Sequence, residues 1–96
     1  MKICKVIGFA TASLKFEGLS SYKLVVLKGI DDNGTPVGEP FLAVDTFGVG
    51  LSEVVAVATG YTATNAVKNK DLPIDAAVIG IVDHVTIDKK EIYTKH

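Results

Sequence analysis

Apolar and polar residues alternate from the start of the chain. Lys2 to Ala12 splits into Cys4, Val6, Gly8 and Ala10 on one face and Ile3, Lys5, Ile7 and Phe9 on the other, the period of a strand. The small residues of the first set suit the tight interior of a small barrel. Tyr22 to Lys28 predicts a second strand, closed by Asp31-Asp32-Asn33-Gly34. Asn and Gly tolerate positive φ, so this tetrapeptide predicts a hairpin turn. Pro36, Gly38 and Pro40 keep the next residues extended and out of the middle of a ladder, which places the third strand at Phe41 to Thr46. Glu53 to Thr59 is the fourth, and its apolar run Val54 to Ala58 predicts that both of its faces are covered. Asp75 to Asp83 is the fifth. His84 to Asp88 alternates cleanly and either extends the fifth strand or turns back as an edge. Lys89 to His96 reads as a polar tail with Ile92 and Tyr93 embedded.

One helix is predicted, over Gly60 to Lys70. Thr62 suits its N-cap, and Lys68 and Lys70 lie where cations favour the negative helix end. Pro73 stops its extension. Ser13 to Ser21, polar and glycine-bearing, predicts a mobile loop. Five short strands with one short α-helix before the last predict a mainly β fold. The economical arrangement is a small, five-stranded, partly open barrel of the oligonucleotide/oligosaccharide-binding (OB) type, one domain spanning residues 1–96.

Composition adds a tension. The chain is 48% hydrophobic with a mean hydropathy of +0.35, yet has only 96 residues. A domain of this size buries roughly 60–65% of its unfolded surface, so apolar surface is left over. Either the fold packs this excess very efficiently or other subunits cover it, and the second reading is favoured. Net charge is −1, and all ten basic residues are lysines, which argues against nucleic-acid binding. Cys4 is the single cysteine, so no internal disulfide forms. The first residues do not read as a signal peptide, and no run approaches the ~20 apolar residues of a membrane span. These features predict a soluble, cytoplasmic protein.

Candidate chemistry is sparse. His84, His96 and Cys4 have no metal-ligand spacing. Asp31 and Asn33 carry calcium-loop residue types without the later ligands. Asp83 and His84 are adjacent on a strand and point to opposite faces, and Ser52 lies in no nucleophile elbow. Gly48-Val49-Gly50 has two glycines, no lysine and no following helix, so it is not a phosphate loop. No catalytic, cofactor or metal site is therefore predicted. The two glycines, set between two strands directly after Asp45-Thr46, still mark a special loop.

Several segments together resemble one family. These are Tyr22 to Leu27, Gly38-Glu39-Pro40, Ala43 to Gly50, and Asn69 to Asp83. The Val-Asp-Thr-x-Gly-x-Gly loop and the Asp-x-x-Val-x-Gly-Ile-Val-Asp segment are the most specific. Across nearly its whole length the chain resembles the EutN/CcmL family of bacterial microcompartment vertex proteins. The resemblance implies a non-catalytic shell protein without cofactors. It implies homo-pentamers with a narrow central pore, set among hexameric shell proteins in the cytoplasm, with no nucleic acid or membrane as partner. Asp45, Thr46, Gly48, Val49 and Gly50 are then the candidate pore or subunit-interface loop. The family's usual arginine near the helix start is replaced by Thr64, so a contact made by that arginine does not carry over. Two other readings stay open on the residues alone. One is a monomeric or dimeric barrel that binds a small ligand or single-stranded nucleic acid. The other, weaker, is an enzyme using Asp45, Asp83 or His84.

Overall fold

The computed structural model describes residues 1–10, 23–60 and 75–95. The helix expected over Gly60 to Lys70, including Thr64, the loop expected over Ser13 to Ser21, and His96 lie outside the described residues. Among the described residues the strands are β1 (Lys2–Ala10), β2 (Lys23–Ile30), β3 (Pro36–Asp45), β4 (Val54–Thr59), β5 (Ala76–Ile81), β6 (His84–Ile87) and β7 (Lys90–Thr94). The first five make a barrel in the order β1-β2-β3-β5-β4, with β4 paired back onto β1. The barrel is closed rather than partly open. A short parallel junction, Val44 beside Ala77, joins β3 to β5 and removes the open edge.

The core is aliphatic and small. Cys4, Val6, Val25, Leu27, Ala43, Val55, Val57 and Val78 fill the interior, and Phe41 and Ile81 pack against it. β4 is covered on both faces as its apolar run predicts: Val54, Val55, Val57 and Ala58 are all buried. The alternating set of β1 is interrupted. The β1–β2 register shifts between Val6 and Gly8, so Cys4 and Val6 face the core but the small-residue face does not continue through Gly8 and Ala10. A bulge of this kind reverses the inward and outward sets.

β3 begins five residues earlier than the prolines suggested. Leu27 pairs with Phe41 and Gly29 with Val37, so Gly38, Glu39 and Pro40 together face Lys28. Pro36 takes the first position of the strand and Pro40 lies in this bulge, two places where a missing N–H costs no ladder bond. The turn that precedes β3 is built as expected. Asp31 Oδ1 accepts from the Asn33 and Thr35 N–H groups at 2.8 and 3.0 Å, and Gly34 has φ of +80°.

The C-terminal residues differ from a polar tail. They turn back at Asp88 and Lys89, both at positive φ (51° and 65°), and β7 pairs with β6. Two consecutive left-handed residues between paired strands are the hairpin geometry that matches strand twist. An isolated two-stranded sheet is marginal in water, and this one is tied to the barrel. Val82 N–H, just before β6, donates to the Val54 carbonyl at 2.9 Å, the Val54 N–H donates to the Tyr93 hydroxyl at 3.3 Å, and Lys95 N–H closes the hairpin's base on the Asp83 carbonyl at 2.7 Å.

Candidate functional site

The loop between β3 and β4 is organised by one buried carboxylate. Asp45 ends β3 and is 4% exposed. Its Oδ1 accepts from Phe47 N–H at 2.8 Å and Gly48 N–H at 3.2 Å, and its Oδ2 from Val49 N–H at 2.8 Å. An aspartate at a strand end makes such bonds because its short side chain reaches the backbone two to four residues on. Val49 N–H is thereby satisfied while its side chain enters the barrel core. Lys23 Nζ donates to the Val49 carbonyl at 3.2 Å and lies 4.3 Å from the centre of the Phe9 ring. The loop is thus fixed at both backbone groups of its buried residue.

The second half of the loop is a reverse turn. Glu53 N–H donates to the Gly50 carbonyl at 3.3 Å, with Ser52 at φ of 69°. Glu53 Oε1 accepts the Gly50 N–H in return, and Glu53 Oε2 lies 3.5 Å from Lys95 Nζ. Leu51, Ser52, Glu53, Tyr93 and Lys95 enclose a small cleft of about 190 Å³, where the loop meets the C-terminal hairpin.

The five residues singled out from sequence therefore have different surroundings. Asp45 and Val49 are spent inside their own chain, Gly50 is half-buried, and Thr46 and Gly48 face solvent. Gly48 is required by its φ of +80°, since a Cβ there would meet no atom within 4 Å. Gly50 has an ordinary φ, but a Cβ would lie 3.0 Å from Glu53 Oε1. A side chain at Gly50 thus needs the Glu53 carboxylate to give by a few tenths of an ångström, and that carboxylate holds the Gly50 N–H. Sequence reasoning missed Lys23, Phe47, Leu51 and Glu53. The Gly50-x-x-Glu53 spacing was a usable signal for the turn, and two large apolar residues flanking the glycines were a signal for an exposed face. Phe47 and Leu51 are 50% and 62% exposed.

Other candidates are not gathered here. His84 Nδ1 lies 3.3 Å from Glu91 Oε1, both exposed on the β6–β7 hairpin. Burial pushes the Cys4 thiol above its ordinary value, partly countered by Lys2. Among the described residues, no three His, Cys, Asp or Glu side chains cluster as a metal site.

Gly48 offers a direct test of what lies outside the loop. Gly48→Ala should cost about 1 kcal/mol, the expense of a left-handed Cβ alone, and Gly48→Asn less. Thermal unfolding at fixed protomer concentration measures both. A much larger loss in the assembled protein than in dissociated chains would place a neighbour against this Cα.

Comparison with known proteins follows the same outline. A family model described as "Ethanolamine utilisation protein EutN/carboxysome" matches residues 1–83, ending where β6 begins. The chain is similar to the bacterial microcompartment shell vertex protein EutN of Escherichia coli K12, 36% identical over 95 residues, covering 99% of this chain and 100% of that protein. Its structure is similar to that of CcmL from Gloeobacter violaceus, with a TM-score of 0.88, 35% identity and coverage of 99% and 98%. It is also similar to GrpN, a pentameric microcompartment shell protein from Rhodospirillum rubrum, with a TM-score of 0.80, 39% identity and coverage of 91% and 99%.

Proposed function

The chain belongs to the EutN/CcmL family, and from that premise we propose that it is a structural shell protein whose pentamers cap the vertices of a bacterial microcompartment. The work such a protein does is geometric. A flat sheet of six-fold tiles has no curvature, and a five-fold unit at each corner supplies it. One heterologous contact, repeated and closed after five copies, generates the ring. The observation that carries the proposal is full-length similarity to vertex proteins, joined to this chain's own surplus of exposed apolar side chains. Ile3, Phe9, Leu42, Phe47 and Leu51 are each more than 40% exposed, apolar side chains that subunit contacts can cover. Subunit contacts of at least ~1,000 Å² each would absorb them.

In this role the β3–β4 loop is a shaped surface, not a reaction centre. Its one carboxylate, Asp45, is occupied by three backbone N–H groups. Thr46, Gly48 and their exposed neighbours face either the ring's pore or the adjacent subunit, and hexameric shell proteins are the partners at the rim. The protein then resides in the shell, within the cytoplasm, and performs no catalysis. Native mass spectrometry of the purified protein tests the proposal. The expected species at micromolar concentration has five times the 10.1 kDa protomer mass. A persistent monomer, or salt-sensitive binding of labelled single-stranded oligonucleotide, would overturn it.

A further inference from the structure

We propose that the ring contact is a knob in a groove: Phe47 and Leu51 of one subunit seat against Leu42 and Phe41 of the next. The inference rests on the pentameric reading above and adds the two surfaces that meet. A closed ring made by a single kind of contact needs two different patches on every subunit. The structure supplies one convex and one concave patch with no residue in common.

The convex patch is the β3–β4 loop. Thr46 to Ser52 carries no charged side chain, so it can be desolvated without burying an unpaired charge, as the core of an interface requires. Phe47 and Leu51 project from it half or more exposed. The backbone beneath them is held by Asp45 and by the Gly50–Glu53 turn, so little freedom remains to be lost on docking. The β6–β7 hairpin is the contrasting projection. It carries Asp88, Lys89, Lys90 and Glu91 and suits solvent.

The concave patch lies where β3 and β5 part. Among the described residues they pair only at Val44 and Ala77, and an open groove of about 640 Å³ forms beside Phe41, Leu42, Ala76 and Thr59, with Lys2 and Asp75 also lining it. Lys2 Nζ lies 5.0 Å from the centre of the Phe41 ring. Leu42 points away from the core, between inward-facing Phe41 and Ala43, and is 50% exposed. An aromatic ring and a leucyl side chain fit a groove of this size. A second copy of the chain is the occupant because the pentameric solved relative shares this fold over 91% of the chain.

Two experiments test the contact. Phe47→Asp and Leu42→Asp should each raise the protomer concentration needed for pentamers by about thirty-fold or more, the effect of losing a central apolar anchor. Phe47→Leu should retain pentamers, and circular dichroism should stay that of wild type, because both side chains lie outside the core. In the second experiment a double variant, Thr46→Cys beside Phe47 with Thr59→Cys in the groove, which leaves Phe47, Leu51, Phe41 and Leu42 in place, is treated with a short bis-maleimide. Cys4 is fully buried and contributes no reactive thiol. The double variant should give a covalent ladder up to five chains. Either single variant can join two chains at most. Pentamers that persist in Phe47→Asp, or a double variant without a ladder, would overturn the contact while leaving the pentamer intact. A monomeric wild type would instead overturn the pentameric reading.

Discussion

Asp45→Ala is expected to lower stability by about 3 kcal/mol, a large share of what a domain of this size possesses. The carboxylate satisfies three backbone donors, of Phe47, Gly48 and Val49. Bonds to a charged acceptor contribute about 1.5–3 kcal/mol each, but not additively. The exposed Phe47 and Gly48 donors regain water when the carboxylate is lost. Val49 cannot, because it is buried; either its N–H stays unpaired or its side chain leaves the core. Asp45→Asn keeps the shape but turns one acceptor into a donor facing a donor, and should cost about half as much. Thermal unfolding at fixed protomer concentration should show a fall of roughly 15 °C for the alanine variant. Hydrogen exchange should show lost protection at Val49 before the barrel strands. An alanine variant within 3 °C of wild type would mean that the carboxylate does not organise the loop.

That a single side chain sets the path of this loop was not legible from the chain. The strands were, because a two-residue period and the doubly apolar run of β4 depend only on which faces are covered. The hairpin at Asp31 to Gly34 was legible because Asn and Gly advertise positive φ. The return at Asp88-Lys89 was not, because neither residue is glycine and the left-handed geometry there is imposed by the pairing of β6 with β7. The early start of β3 was hidden by Pro36 and Pro40, which count against a strand unless a bulge receives them. Within the candidate site, two glycines around a small apolar residue suggested crowding by a neighbour. The structure gives each a local reason: φ for Gly48, the Glu53 carboxylate for Gly50, and a place in the core for Val49. What the sequence pattern did carry was the surplus of apolar surface, and Phe47, Leu51 and Leu42 are where part of it lies.

Gly34→Ala should cost about 3 kcal/mol, whereas Gly38→Ala should cost about 1. Both glycines have left-handed φ, +80° and +85°, so both variants bear the same conformational expense of about 1 kcal/mol. Their surroundings differ. A Cβ at Gly38 meets no atom within 4 Å, but a Cβ at Gly34 would lie 2.8 Å from the Ile92 carbonyl oxygen in β7. That oxygen belongs to backbone and cannot swing aside. The clash must push the β6–β7 hairpin off the β2–β3 turn and strain the contacts that hold it to the barrel, Tyr93 to Val54 and Lys95 to Glu53. The additional ~2 kcal/mol is therefore the resistance of the hairpin to displacement, in the range of overpacking at a tightly fitted contact. Thermal unfolding of the two variants isolates it, since the φ contribution cancels in their difference. Hydrogen exchange across β6 and β7 should rise in Gly34→Ala and stay unchanged in Gly38→Ala. Equal losses for the two variants would show that the hairpin yields freely and contributes nothing to the stability of the barrel.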